Sequence, residues 1–476
     1  MNEQLKNETK KGIFWSAVQR FSIQGGQFII GIVLANFLKP SDYGTIGMLS
    51  IFIAISSVFI DGGFINALTR KQDRTQADIC TVFYFNIIIS VLSYCILFLI
   101  APLVALFYNM PELCLVLRIF GISLIINSFS AVQATLLTIK LDFKTQTKVS
   151  IISLTISSII AIILAYKGYN YWALVVQAIL SSTLSTTLFW YYSTWRPSLI
   201  FSKKSFKELF GFGSKLLIQG LIDNIYNNIY PLVIGKTFSA SALGNYNRAD
   251  SYAKFPSSSL TGVMQRVTYP VLCRMQNNEA ELAEAYRKFL KLSTFIIFPL
   301  MTGLSALSYP FIILVIGHEW EDCVSMLQIL CFALMWYPVH AINLNLLLVK
   351  GRSDLSLKLE VIKKIIGIAV LCIAVPFGIM VLCWSIILTS IISLFINTYY
   401  TGKLIGLGII RQLIDISPSL IISLTMWCVV MLTNIFISNS LAQLFVGMVI
   451  GALFYIIASF IFNRNEFNSV LSLIHK

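Results

Sequence analysis

Charge is what this sequence has least of. Aspartate, glutamate, lysine and arginine make up 12% of its 476 residues, about half the ~25% usual in soluble domains. So little charge cannot clothe a soluble surface of this size, and 57% of the residues are hydrophobic. A single soluble globule is excluded. Histidine is also scarce, and His318, His340 and His475 lie far apart in sequence. The nine cysteines show no C-x-x-C spacing, which excludes a zinc site or a disulfide framework and leaves them as small core hydrophobes. No cofactor is expected. Long polar loops and low-complexity segments are absent, and the longest outer connection, around GHEWEDC (317–323), is too short to hold a catalytic domain. Residues 1–12 are polar, and the following apolar stretch lacks a small-residue cleavage pattern. The first helix is therefore expected to be its own signal and to stay in the membrane.

What is present is a succession of apolar runs, which makes the chain an all-α polytopic membrane protein. At roughly 20 residues per span, about fourteen transmembrane helices are expected: 13–38, 44–69, 79–107, 113–138, 147–167, 171–193, 209–238, 245–273, 286–309, 324–349, 357–376, 378–401, 416–437 and 440–462. The eighth is weak by hydropathy, because Lys254, Arg266, Pro256 and Pro270 lie within it. Charge placement restores it. With the N-terminus inside, basic clusters such as Arg70/Lys71/Arg74, Lys140/Lys144/Lys148 and Lys203/Lys204/Lys207 all fall on inner connections. The outer connections hold only Lys39, Arg118, Lys167 and Lys236. That asymmetry is the positive-inside pattern, and dropping the eighth helix would invert every later loop. Both termini are thus expected in the cytoplasm. The net charge of +14 is topological, and it does not argue for nucleic acid.

The chain also repeats. FLKPSDYG (37–44) recurs as FSASALG (238–244), Lys140 answers Lys350, and Gly168 answers Gly378. An even number of helices per unit gives both halves the same orientation, as in parallel-repeat transporters. The expected organisation is an N-lobe at 1–205, a C-lobe at 206–405 and two additional C-terminal transmembrane helices within 406–476.

Polar residues inside spans are costly, about 2.5–3.5 kcal/mol for a central charge, and so face an interior, a partner or a water-filled cavity. In the first helix Arg20, Gln24 and Gln27 share a face; they read either as a cavity lining or as a snorkelling arginine beside packing glycines. In the seventh, Lys215, Gln219 and Asp223 step by four, with Asn227 continuing near that face. This stripe suits sugar hydroxyls, and it equally suits a hydrogen-bonded seam between helices. The eighth contributes Arg248, Asp250, Lys254 and Arg266, cations fit for pyrophosphate. Asp61, within DGG (61–63), is a further deep acid, read as a cavity group or as a hydrogen bond at a helix kink. The string GKT (235–237) is no P-loop, since Tyr230 stands where the first glycine is required.

Several strings carry a resemblance: FLKPSDYGTIGM (37–48), LIAPLVALFY (99–108), GYNYWALVVQ (168–177), TWRPSLIFS (194–202), FGSKLL (212–217), NNIYPLVIGKTFSASALGNYNRAD (227–250) and GHEW (317–320). Over roughly residues 10–400 the chain resembles polysaccharide-export flippases of the multidrug/oligosaccharidyl-lipid/polysaccharide (MOP) superfamily, in the Wzx-like lipopolysaccharide and colanic-acid exporter branch. The resemblance implies fourteen helices around a cationic cavity. It also implies alternating access that moves a polyprenyl-pyrophosphate-linked oligosaccharide across the bacterial inner membrane. Related lipid II flippases carry an Arg-Asp pair in the first helix, whereas the nearest positions here are Gln24 and Gln27.

The expected function is therefore a flippase for lipid-linked repeat units, working alongside a polysaccharide polymerase and glycosyltransferases, and not an enzyme. A multidrug cation antiporter of the same fold would need a cavity dominated by acids, and only Asp61 and Asp223 offer themselves. A membrane polymerase or ligase would need an extended outer loop with catalytic arginines or histidines.

Overall fold

The computed structural model describes residues 3–61 and 63–474; the side chains of residues 3–14, 16, 17, 20, 61, 212 and 472–474 lie outside the description. Every regular element among the described residues is helical. In chain order they are α1 (Glu3–Ala35), α2 (Pro40–Asp61), α3 (Phe64–Arg70), α4 (Gln76–Tyr108), α5 (Glu112–Ile139), α6 (Phe143–Tyr166), α7 (Trp172–Tyr192), α8 (Lys203–Thr237) and α9 (Ala240–Arg274). There follow α10 (Glu279–Ala306), α11 (Ser308–Val315), α12 (Glu321–Leu334), α13 (Tyr337–Val349), α14 (Ser353–Ala374), α15 (Ile379–Ile405), α16 (Ile409–Ile435), α17 (Ser440–Phe462) and α18 (Arg464–Ile474).

All fourteen expected spans find a helix, with three differences. The second span breaks after Asp61, where Gly63 takes a positive φ of 71° that a residue with a Cβ adopts only under strain. The tenth is divided into α12 and α13. Two short helices, α11 between the ninth and tenth spans and α18 after the last, were not foreseen. The remaining boundaries follow local chemistry. Thr75 accepts from the Asp78 backbone N–H while Asp78 accepts from that of Thr75, a capping box that starts α4. Asp142, Asn278 and Asn439 cap α6, α10 and α17 more simply, each side-chain oxygen accepting from backbone N–H groups of the first turn.

Among the described residues, ten stretches are long and apolar enough to cross a membrane. The long helices α8, α9 and α14 are not among them, being interrupted by polar and charged residues. Two of them, α8 and α9, carry most of the expected site residues.

The chain divides into two compact units, residues 1–244 and 245–476. In the first, α4 and α5 form an antiparallel pair, α6 and α7 another, α5 packs on α7, α1 runs along α6, and α8 lies against α2, α3 and α4. Small polar residues knit these helices: Ser90 to Ser128 at 2.9 Å, and Thr186 to Ser130 at 3.2 Å. Such contacts let backbones approach where lipid supplies no hydrophobic drive between helices. Phe64, Leu68, Phe83 and Val132 fill the core beside the α2/α3 break.

In the second unit, α10 is central, packed on α12, α13 and α16, while α15 covers α12, α13 and α14. Asp415 on α16, 3% exposed, receives Arg287 through two bonds of 2.6 and 2.7 Å, with Lys291 at 3.5 Å. Lys291 also reaches Glu466 on α18 at 3.6 Å. The bidentate fork is the geometry guanidinium and carboxylate favour. It ties α10 to α16, and Lys291 carries the tie on to the C-terminal helix.

Candidate functional site

Helix α8 presents three faces, and its sequence explains each. Gly213, Gly220 and Gly235 recur on one side: a Cβ on Gly63 would overlap the Gly213 backbone, one on Gly220 would meet Val58 at 3.1 Å, and one on Gly235 would meet Met48 at 3.0 Å. This is the face laid on α2. Asn224 and Asn228 belong to it. The Asn224 amide donates to the Gly220 carbonyl, the Asn228 amide donates to the Asn224 carbonyl, and Asn228 Oδ1 lies 3.4 Å from Ser50 Oγ. Ile218, Ile222 and Ile225 form a second, exposed apolar face. The third face is polar: Lys215, Gln219 and Asn227 are exposed and Asp223 half-buried. At about 100° per residue it falls between the other two. The charged and amide side chains of residues 213–230 therefore divide: Asn224 and Asn228 line the helix interface, and Lys215, Gln219, Asp223 and Asn227 form the stripe.

On α1, Gln24 is half-buried and Gln27 exposed, and Gly26 allows α1 to approach Leu154 of α6. The side chains of Arg20 and Asp61 lie outside the described residues. Asp61 is the last residue of α2, and the chain turns at Gly63 directly against Gly213.

On α9, Asp250 and Lys254 pair at 2.6 Å, so the charge of Lys254 is locally balanced. Arg266 is exposed further along the helix. Arg248 is half-buried, its charge acting on Cys323 of α12. The structure thus gathers Lys215, Gln219, Asp223 and Asn227 on one face of α8 in the first unit. It gathers Asp250 and Lys254 on α9 in the second, with Arg248 and Arg266 on the same helix. GKT (235–237) forms the last turn of α8, with Gly235 packed beside Met48, Leu243 and Tyr108.

A group passed over in the sequence stands on α14: Glu360 and Lys363 pair at 2.6 Å, with Lys364 next in the chain. Charges within a helix that is otherwise apolar were the available signal.

In the first unit, Lys71 Nζ donates to the buried Asp78 at 3.2 Å and to Glu208 of α8 at 3.0 Å. The Glu208 carboxylate beside it holds the Lys71 ammonium above the ordinary lysine value, against the opposing effect of burial.

A chain of long helices, with ten stretches among the described residues apolar enough to span a membrane, defines a polytopic membrane protein. Residues 33–325, more than half of the chain, match the family model described as polysaccharide biosynthesis protein, and the chain belongs to that family. The resemblance carried by FLKPSDYGTIGM and its companion strings is thereby borne out. Among curated relatives, it is 24% identical to the teichuronic acid biosynthesis protein TuaB of Bacillus subtilis, over 95% of each chain. It is 26% identical to the lipopolysaccharide biosynthesis protein WzxC of Escherichia coli, over 78% of this chain and 75% of that one. In fold it is similar to the lipid II flippase MurJ in an inward closed conformation, with a TM-score of 0.77 and 16% identity over 95% of this chain and 99% of that one. An inward-facing multidrug resistance MATE family transporter of the MOP superfamily follows at 0.63 and 14%, over 82% and 98%.

Proposed function

We propose that the protein is a flippase for polyprenyl-pyrophosphate-linked oligosaccharide repeat units, acting in the bacterial inner membrane with both termini in the cytoplasm. The observation that carries this is the polar stripe of α8, Lys215, Gln219, Asp223 and Asn227, on a face distinct from the one that packs and from the apolar one. A stripe used only as a helix seam would be buried; here the seam is made by Gly213, Gly220 and Asn228, leaving the stripe for a ligand. The chemistry fits a lipid-linked sugar: amides and carboxylate for hydroxyls, with Lys215 on the first unit as a cation for pyrophosphate, and Arg248, Lys254 and Arg266 on the second unit as cations of the same kind. The prenyl tail stays in lipid while its head group passes through a cationic cavity by alternating access. Lobes at 1–205 and 206–405, with 406–476 as an appendage, belong to this reading, as do a polymerase and glycosyltransferases as partners.

The test is a deletion strain. Lipid-linked repeat units should accumulate on the cytoplasmic side and surface polysaccharide should fall, with both restored by the wild-type gene. Unchanged polysaccharide would remove the proposal. The alternative, a multidrug cation antiporter, has the MATE fold likeness in its favour and would show instead as altered sensitivity to cationic drugs.

A further inference from the structure

One face of α10 carries two hollows in a row. Glu284, Arg287, Lys288 and Lys291 open the first, of about 310 Å³, with Asn465 and Glu466 of α18 opposite. Phe295, Pro299 and Gly303 continue that face at helical spacing and line the second, of about 540 Å³, against α16 and α17. Leu292, the last α10 residue of the first hollow, precedes Phe295 by less than one turn. The two hollows therefore follow each other along one helix, inside the second unit.

The second hollow is apolar. Tyr455 carries the only polar side-chain group among the described residues that line it, and its hydroxyl donates to the Phe295 carbonyl at 2.7 Å. At the other end a Cβ on Gly447 would meet Leu307 at 2.6 Å. Helices α10 and α17 thus run antiparallel and wall a groove about 18 Å long, from Phe295 to Leu307. One leaflet of a bilayer offers about 15 Å of hydrocarbon, half of a ~30 Å core. The groove has the length of one leaflet's acyl chain, and a polyprenyl chain would overrun it.

The first hollow is polar, and its charges are only partly spent. Arg287 commits Nε and Nη2 to Asp415, which leaves Nη1 on a half-exposed guanidinium. Lys291 is shared between Asp415 and Glu466. Among the described residues Glu284 and Lys288, both exposed, form no ion pair. One cation and one acid are left over. We propose that the two hollows form a single site for a phospholipid whose headgroup joins a phosphate to a primary ammonium. The phosphate takes Lys288 and Nη1 of Arg287, the ammonium takes Glu284, and one acyl chain lies in the groove. A purely anionic headgroup would set its charge against Glu284, and a choline headgroup has no N–H to donate. The lipid so held bridges α10 to α17 and α18. The site does not depend on the flippase reading.

The experiment uses the purified, delipidated full chain in detergent micelles. Phosphatidylethanolamine, phosphatidylcholine and phosphatidylglycerol of identical acyl chains are added in turn, and bound lipid is read by native mass spectrometry. The ethanolamine lipid should bind about tenfold more tightly than the other two, the worth of one charge-assisted hydrogen bond. Glu284→Gln should abolish that preference, and Lys288→Met should weaken all three lipids about tenfold. Gly303→Leu, which fills the groove, should weaken all three as well. Should Gly303→Leu fail to fold, the exposed Glu284 and Lys288 still decide the matter. Equal affinities for the three lipids in the wild type, or a preference retained in Glu284→Gln, overturn the inference. Displacement of the ethanolamine lipid by an equimolar polyprenyl phosphate also overturns it, assigning the groove to a prenyl chain.

Discussion

Gly44 and Gly244 cross reciprocally. A Cβ on Gly44 would overlap the backbone of Ala240, and a Cβ on Gly244 would overlap that of Pro40. Pro40 opens α2 and Ala240 opens α9, so the repeated strings FLKPSDYG and FSASALG meet each other at equivalent positions. Each glycine lies over the residue that stands four places before the other. The contact is two-fold in character and made of backbone, which only glycine permits.

From this crossing, Gly44→Ala and Gly244→Ala should each destabilise by about 1–3 kcal/mol, since the clash is with main chain that cannot rotate away. The double variant should cost less than the sum, because one displacement of the helices relieves both clashes. Thermal unfolding of the purified protein checks this. Additive losses, or none, would refute the reciprocal contact.

Arg266→Ala and Lys254→Ala should lower surface polysaccharide several-fold with protein abundance unchanged, Arg266 the more strongly because Lys254 is balanced by Asp250. Immunoblots of membranes alongside polysaccharide stains provide the comparison. Normal polysaccharide in both would count against a cationic route.

Asp415→Asn should cost about 2 kcal/mol, below the ~3–5 for breaking a fully buried pair because Arg287 is half exposed. Glu466→Gln, whose partner Lys291 keeps Asp415, should cost under about 1 kcal/mol. Equal losses would show that α18 and α16 are held as one unit.

Lys71→Met strips Asp78 and Glu208 of their cation. The folded-state value of Lys71 is raised above 10.5, so its contribution is complete below that value and is lost as pH climbs through the raised one. The stability gap between wild type and Lys71→Met should therefore be constant from pH 6 to 9 and close only in strong alkali. A gap that varied across neutrality would assign the effect elsewhere.

The helices and their order were legible because apolar runs and basic loops are one-dimensional signals. The α8 stripe was legible too, since Lys215, Gln219 and Asp223 repeat at helical spacing. Its division was not: Asn224 and Asn228 differ from Asn227 only in facing α2, and a single helix cannot reveal its neighbour. The same limit hid Asp415, read as lying before a span although α16 begins at Ile409. It also hid His340, whose partners Ser390 and Asn397 come from another helix, α15. The helix α18, only eleven residues long, is too short and polar to stand out as a span.

The three-sided character of α8 bears on how the protein is made. A helix bearing Lys215, Asp223 and four amides gains little from entering lipid alone and would leave the insertion machinery reluctantly. By the time it emerges, α2, α3 and α4 have already been synthesised, and they display the surface that Gly213, Gly220 and Gly235 fit. The earlier helices thus serve as the template on which α8 is accepted into the bilayer, and order of synthesis becomes a condition of assembly.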